Sequence, residues 1–284
     1  SDLGKIVMAA AARHLTSVTL ELGGKSPVII DRSADVRLAA ETLMWGKLVN
    51  SGQICVAPDH VYVHSAIKEQ FVQACRAVVA ERFGQTPEAQ RASRDFTRII
   101  NQRHTQRIAG LLQDARDRGA RVLMGGEVDA ASCYIAPTLI DQVPVEASIM
   151  SEEIFGPVLP VIAFDDLTTV IRDINAGHKP LALYIWSKDK GATQRILTET
   201  SSGGVAINHC LLHYAHGNLP FGGVNNSGIG NAHGHFGFKT FSHERGVLKS
   251  GPVMMARMFF PPYTEARKKI IRMVADSLRL PSLF

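Results

Sequence analysis

The chain has 284 residues, of which 45% are hydrophobic and 20% charged, and this composition is typical of a soluble globular protein. Its 31 basic and 26 acidic residues give a net charge of +5 that is spread along the chain, which argues against a nucleic-acid-binding protein. Because no apolar run reaches the roughly 18 residues of a membrane span and no signal-peptide pattern opens the chain, we expect a soluble, cytoplasmic protein.

Helical and strand-like patterns alternate along most of the chain. In chain order, we predict a helix at 4–15, strands at 18–22 and 27–31, a helix at 34–50, a strand at 60–64, helices at 67–83 and 102–118, strands at 121–124, 134–140 and 158–164, a helix at 167–176, a strand at 181–186, a helix at 192–200 and a strand at 204–208. Strands separated by helices indicate an α/β fold with a mainly parallel sheet flanked by helices.

The last part of the chain differs from the rest in amino-acid composition. Residues 209–237 are rich in glycine, asparagine and histidine, which favours long loops near a functional site. Residues 264–284 combine basic and apolar side chains and predict an amphipathic helix. Such a helix could pack on the body of the protein or on a partner subunit, or it could contact an acidic membrane surface.

The four cysteines are far apart and form no C-x-x-C pair, so the pattern fits neither a disulfide framework nor a zinc site. They are Cys55, Cys75, Cys133 and Cys210. A free cysteine is usually a small buried apolar residue, so only its local setting can mark it as reactive.

Cys55 has such a setting. The preceding helix is predicted to end at Asn50, and Gly52 allows a sharp turn that lifts Cys55 out of regular structure. Backbone N–H groups in the turn can face the oxygen of a bound carbonyl compound, as an oxyanion site requires. Cys55 is therefore a candidate nucleophile, and a purely structural turn is the alternative.

Glu21 is the second candidate. It stands at the end of an apolar strand, directly before Leu22, Gly23 and Gly24. A carboxylate buried in such a place can serve as a general base near neutral pH, and the glycines let other groups approach closely. The alternative is an ion pair with a nearby cation such as Lys25.

Together these segments resemble the aldehyde dehydrogenase superfamily. The resemblance rests on E-L-G-G-K-S-P from Glu21, on S-G-Q-I-C-V-A-P-D around Cys55, and on E-E-I-F-G-P-V from Glu152. Further segments resemble the class 3, fatty-aldehyde branch: P-L-A-L-Y at 180–184, S-S-G-G-V at 201–205, L-P-F-G-G at 219–223, F-S-H at 241–243 and F-P-P-Y at 260–263.

The resemblance implies a chemistry and its residues. Cys55 would attack an aldehyde to form a thiohemiacetal, whose oxygen is held by the Cys55 N–H and an asparagine amide. Hydride transfer to a nicotinamide would leave a thioester, and Glu21 would activate the water that hydrolyses it to the carboxylic acid. Glu153 would hold the cofactor ribose, Phe155 would pack near the nicotinamide ring, and Gly23 would also line the cofactor site.

The same resemblance implies NAD or NADP as cofactor, with NAD favoured, and a medium-chain or long-chain aliphatic or aromatic aldehyde as substrate. Relatives in this branch commonly form homodimers. No metal is expected, because His233 and His235 alone make a weak site. Asn225 stands where the class 3 pattern commonly has glycine, but asparagine tolerates left-handed backbone, so we expect the loop to persist.

The resemblance also implies a division of the chain. Residues 1–21 would be a remnant of a Rossmann-like cofactor domain, 22–241 the catalytic domain, and 242–284 a C-terminal extension for oligomerisation or membrane-surface contact. The segment with the oxyanion asparagine has no match here, so we expect a partial chain that does not bind the cofactor tightly by itself. A non-catalytic chain and a cofactor-independent esterase or thioesterase activity of Cys55 and Glu21 remain as alternatives.

Overall fold

The computed structural model describes residues 2–251, 257 and 259–278, and the chain divides into two compact units, Ser1–Ser242 and His243–Phe284. The helices are α1 (Asp2–Ala12), α2 (Val36–Leu48), α3 (Ser65–Phe83), α4 (Pro87–Ala92), α5 (Gln102–Asp117), α6 (Ser148–Ser151), α7 (Leu167–Ala176), α8 (Lys190–Glu199), α9 (Gly234–Thr240) and α10 (Glu265–Leu278). The strands are β1 (Leu20–Glu21), β2 (Pro27–Ile30), β3 (His60–His64), β4 (Arg121–Met124), β5 (Val128–Asp129), β6 (Tyr134–Ile135), β7 (Thr138–Asp141), β8 (Val158–Phe164), β9 (Ala182–Trp186), β10 (Gly204–Ile207) and β11 (Gly228–Ile229).

The first unit is built on a seven-stranded sheet with the strand order β10-β9-β2-β3-β8-β7-β4. All neighbouring strands in it run parallel except β4, which pairs antiparallel with β7 at one edge. The predicted α/β fold with a mainly parallel sheet is therefore confirmed.

Helices cover both faces of this sheet because successive side chains of a strand point to opposite sides. On β2, Val28 and Ile30 belong to a core cluster that includes buried residues of α2 and α3. Ile29 belongs to another cluster, with Val170 of α7 and Ile196 of α8. A third cluster joins α5 to β7 and β8. The sequence of a strand that is buried on both faces is a continuous apolar run, and β2 has such a sequence.

Three predicted segments differ from the structure. The run predicted at 134–140 is split into β6 and β7 around Pro137, and β6 pairs with β5, which the sequence pattern did not reveal. The strand predicted at 18–22 is reduced to β1, which pairs antiparallel with β11 instead of joining the main sheet. Within the predicted loop region, residues 234–240 form the short helix α9.

The second unit contains α10, which lies within the helix predicted at 264–284, while residues 279–284 fall outside the described part. Near its start, the Arg267 guanidinium donates a hydrogen bond of 2.6 Å to the carbonyl oxygen of Phe260. None of the described helices has the length and apolar character needed to cross a membrane.

The packing of helix α2 against the sheet can be tested by mutation. This helix leads directly into the loop that carries Cys55. Leu43 is fully buried between α2 and the sheet, whereas Leu38 on the same helix is 43% exposed. We expect Leu43→Ala to lower the free energy of unfolding by about 2–5 kcal/mol, since it leaves a cavity. Urea denaturation followed by the fluorescence of Trp45 and Trp186 measures this. Leu38→Ala is the control, and equal losses in the two variants would contradict the packing.

Candidate active site

The loop that carries Cys55 begins where α2 ends at Leu48. A 3-10 turn follows at Val49–Gly52, in which Asn50 and Ser51 both have φ near 51° and therefore left-handed backbone. Gly52 has φ of 74°, and a Cβ at this position would overlap the carbonyl oxygen of Gly156. The sharp turn predicted from Gly52 is present, and only glycine fits its tightest point.

The side chain of Gln53 holds this turn in place. Its Nε2 donates to the carbonyl oxygens of Asn50 at 2.9 Å and Arg98 at 3.1 Å, and its Oε1 accepts the backbone N–H of Ile100 at 2.9 Å. One amide thus joins the turn to the segment that precedes α5. Pre-organised loops of this kind keep a reactive group in one geometry.

Cys55 lies half-buried directly after this turn. Burial raises the pKa of its thiol, and the carboxylates of Glu153 and Glu21 raise it further, while the backbone N–H groups of Cys55 and Val56 lower it. The structure therefore brings together the two acids and the cysteine that the sequence singled out. All four cysteines are free, as predicted, and Cys75 and Cys210 are buried in the core.

Glu21 occupies a different environment from the one expected. It is the last residue of β1, its register partner is Gly228 of β11, and its side chain is exposed in this chain. The expectation of a buried carboxylate was wrong, because β1 lies in a two-stranded ribbon and not in the main sheet. The negative charge of Glu21 nevertheless helps to raise the pKa of the Cys55 thiol.

Glu153 lies against Gly23, and both line a cavity of about 730 Å³. Its carboxylate accepts the backbone N–H of Gly24, and burial raises its pKa. A Cβ on Gly23 would overlap this carboxylate, so glycine leaves the space that Glu153 needs. The Arg107 guanidinium fixes the segment by donating to the carbonyl oxygens of Glu153 at 3.1 Å and Ile154 at 2.6 Å.

Phe155 follows with left-handed backbone at φ of 49°, and 40% of its surface is exposed. The ring is therefore not part of the buried core. Positive φ is uncommon for an aromatic residue, and such backbone strain is concentrated at functional sites. The exposed ring of Phe155 is thus available for contact with a ligand.

Lys25 forms its ion pair with Asp59, whereas the sequence had suggested Glu21 as a partner. The ammonium group also donates to the carbonyl oxygens of Ile149 at 2.7 Å and Glu152 at 2.9 Å. Asp59 Oδ1 accepts the backbone N–H of Ile154 at 2.9 Å. Sequence reasoning missed Asp59, although its place directly before the buried strand β3 was a signal.

Asp59 is the anion of a buried group of charges. Although burial alone would raise its pKa, Lys25, His60 and Lys47 together hold it well below the ordinary value. Burial lowers the pKa of Lys47 to about 8 and also lowers that of His60. Charges buried at this depth persist only when they are paired or hydrogen-bonded.

The histidine-rich loops have a structural explanation. The ring of His233 stacks on Phe221 with centroids 4.8 Å apart, and its Nδ1 lies 2.8 Å from the carbonyl oxygen of Tyr214. Across the described ranges, no group of three histidine, cysteine or acidic side chains could hold a metal ion. Asn225 adopts φ of 54°, the left-handed backbone that we expected it to tolerate.

The contribution of the Lys25–Asp59 ion pair to the free energy of unfolding can be measured with a variant. We expect Lys25→Met to cost about 3–5 kcal/mol at neutral pH, because it leaves a buried carboxylate without its cation. The folded-state pKa of Asp59 is depressed, so the pair stabilises the fold above the unfolded carboxyl pKa and this contribution is lost as the pH falls. The deficit of the variant should therefore be constant from pH 7 to about pH 4 and shrink below about pH 4, where the carboxyl group of the unfolded chain becomes protonated.

Urea denaturation at several pH values measures this difference. Lys5→Met is the matched control, because Lys5 forms only an exposed pair with Asp2 at 3.9 Å and its loss should change little. A deficit for Lys25→Met that is independent of pH, or no larger than that of the control, would show that the buried pair does not act as described.

Comparison with known proteins identifies the family. The profile described as "Aldehyde dehydrogenase family" matches residues 1–247. "Aldehyde dehydrogenase family 3 member A2" of Mus musculus is 43% identical over 267 residues, which cover 93% of this chain and 54% of that protein. "Aldehyde dehydrogenase, dimeric NADP-preferring" of Canis lupus familiaris is 46% identical over 246 residues, which cover 87% of this chain and 52% of the relative.

Solved structures agree as well. The structure described as "Substrate bound state of Staphylococcus Aureus AldH" matches with a TM-score of 0.90 and 42% identity, over 96% of this chain and 58% of that one. The chain therefore spans about half the length of the curated relatives it matches. Since the family profile covers most of the chain, the resemblance seen in the sequence is confirmed, and the chain belongs to the aldehyde dehydrogenase family.

Proposed function

We propose that this chain is the catalytic portion of an NAD(P)-dependent enzyme that oxidises aldehydes to carboxylic acids, with Cys55 as nucleophile and Glu21 as general base. The observation that carries the proposal is the environment of Cys55, a half-buried thiol on a braced turn that both Glu21 and Glu153 influence. A structural cysteine would need neither the acids nor the strained turn before it.

The first step is attack of the Cys55 sulfur on the aldehyde carbon. Because the pKa of the thiol is raised, its proton must pass to a base as the C–S bond forms. The N–H groups of Cys55 and Val56 lie beside the sulfur and can donate to the oxygen that gains negative charge. Attack thus gives a thiohemiacetal held to the chain through Cys55.

Three residues fit the nicotinamide end of the cofactor. The Glu153 carboxylate can accept hydrogen bonds from ribose hydroxyls, Gly23 leaves room for it, and the exposed Phe155 ring can pack on a planar ring. When bound, NAD or NADP supplies the acceptor for the hydride that the thiohemiacetal carbon loses. Arg107 contributes by fixing the backbone of Glu153.

Release of the product needs water. Loss of hydride leaves a thioester on Cys55, and Glu21 takes a proton from the water that attacks it, which frees the carboxylic acid and the thiol. The exposure of Glu21 is consistent with this role, because water reaches an exposed carboxylate directly.

Substrate class and assembly follow from the relatives in the same proposal. We infer a medium-chain or long-chain aliphatic or aromatic aldehyde, in line with the class 3 segments, and a cytoplasmic homodimer. NAD is favoured as cofactor, although the dog relative is described as NADP-preferring, so both belong in the assay. The domain boundaries near residues 21 and 241 remain part of the proposal, as does contact of 242–284 with a partner subunit or membrane surface.

The central test is Cys55→Ala. We expect NADH or NADPH production from a long-chain aldehyde by a protein that joins this chain to a complete cofactor-binding half, and a loss of at least about 10³-fold in the variant, because the nucleophile is gone. Cys133→Ala is the control, since Cys133 is the other partly exposed thiol.

The assay is also run on the 284-residue chain alone. Aldehyde oxidation that survives Cys55→Ala would refute the mechanism. Ester hydrolysis that depends on Cys55 but not on added NAD would support the esterase alternative, and inactivity of both proteins would support a non-catalytic role.

Glu21→Gln tests the base. The amide keeps the size of the side chain but accepts no proton, so we expect steady-state turnover to fall by about 10²–10⁴-fold. If Glu21 acts mainly on the water, one equivalent of reduced cofactor should appear rapidly and the thioester should be detectable on Cys55 by mass spectrometry. Glu152→Gln is the control, because Glu152 is a nearby exposed acid without a proposed role. Equal rates in Glu21→Gln and the unmodified protein would rule out this assignment.

A further inference from the structure

Two buried side chains donate hydrogen bonds to the backbone immediately after Cys55. Lys47, on α2, is 1% exposed and its Nζ donates to the carbonyl oxygen of Pro58 at 2.8 Å. Tyr184, on β9, is fully buried and its hydroxyl donates to the carbonyl oxygen of Val56 at 2.6 Å. The segment that follows the nucleophile is therefore held from a helix and from a strand of the main sheet.

Burying either side chain in a core carries a desolvation cost that an apolar side chain of the same size would not have. An ammonium group loses its hydration when it is buried, and within the described part of the chain the hydrogen-bond acceptor of Lys47 is one backbone carbonyl. Methionine would occupy a similar volume without that penalty, and phenylalanine would do so for Tyr184. Burial lowers the pKa of Lys47 to about 8, which shows how strongly the site disfavours the charge.

The neighbours of Lys47 offset this penalty only in part. Asp59 and Glu153 attract its charge, and Lys25 repels it. Asp59 already has Lys25 as its direct partner, so it does not need a second cation to remain ionised. The specific contact that Lys47 makes is with the Pro58 carbonyl, which points to a role in orienting the backbone.

The geometry points to Lys47 and Tyr184 as positioning residues, which clamp the backbone from Val56 to Pro58 so that the N–H groups of Cys55 and Val56 stay directed at the reacting sulfur and oxygen. This inference rests on the proposed function in so far as Cys55 is the nucleophile. It adds two residues that touch neither substrate nor cofactor and act through the loop.

The test is the rate at which iodoacetamide alkylates Cys55 between pH 6 and pH 10, measured by peptide mass spectrometry on the 284-residue chain with Cys133 as internal reference. Tyr184→Phe removes one hydroxyl, and the pKa of Tyr184 lies well above its ordinary value, so the residue does not titrate in this range. Because the two N–H groups lower the pKa of the Cys55 thiol, we expect the variant to shift the profile upward by about one unit, a roughly tenfold slower reaction near neutral pH.

Lys47→Met should shift the profile in the same direction. Tyr62→Phe and Lys68→Met are matched controls: Tyr62 packs in the cluster of Ile29 and Phe164, and Lys68 pairs with Asp141 at 2.6 Å. Thermal melts of all variants are recorded alongside. If Lys47→Met does not fold, Tyr184→Phe carries the test alone.

Two outcomes overturn the proposal. One is a melting temperature that falls while the alkylation profile stays unchanged, which would make both residues merely structural. The other is an equal shift in the controls. Failure of the proposed function is a separate result, because aldehyde oxidation that survives Cys55→Ala would refute the nucleophile without altering the alkylation profiles.

Discussion

The ion pair between Lys25 and Asp59 is the constraint on which the site depends. Lys25 follows Gly23 and Gly24, Asp59 ends the segment of Cys55, and both bind the backbone of the segment that carries Glu153. These three stretches are remote in sequence. Lys25 and Asp59 lie outside regular structure, and apart from Ile149 in α6 so do the residues whose backbone their side chains bind. Because the pair is buried, its hydrogen bonds have few competing partners, and the three stretches are held in one arrangement.

The same arrangement explains why Cys55 is not a reactive thiol by default. Burial and two acids favour the protonated sulfur, so the charge balance of the site keeps it from becoming a thiolate without a base. The carboxylates that raise its pKa are also the groups that can accept its proton. In the proposed mechanism, such a site limits side reactions of the thiol before the substrate binds.

Sequence patterns predicted regular structure well where burial alone decides it. The strand β3, the strand β8 and the helix α7 were predicted with the bounds that the structure has, because each buries an uninterrupted apolar run or stripe. The pairing of β1 with β11 was not predictable, since two residues carry no period and their partner lies about 200 positions away. Local pattern made Cys55 and Glu21 candidates, and motif resemblance gave them their roles and added Glu153. The Lys25–Asp59 pair depends on tertiary contacts that no local window contains.

Glu21 and Cys55 are held by different parts of the fold, and this division matches the roles proposed for them. Cys55 sits beside the main sheet on a loop fixed by Gln53, which suits a nucleophile that needs one precise geometry. Glu21 belongs to a two-residue ribbon, where Leu22 adds a hydrogen bond to the carbonyl oxygen of Ser227 at 3.1 Å. In the proposed mechanism, a base that takes a proton from the attacking water needs access to solvent as well as to the thioester on Cys55. Glu21 is open to solvent on the ribbon of β1 and β11, whereas the thiol of Cys55 packs against the core of the main sheet.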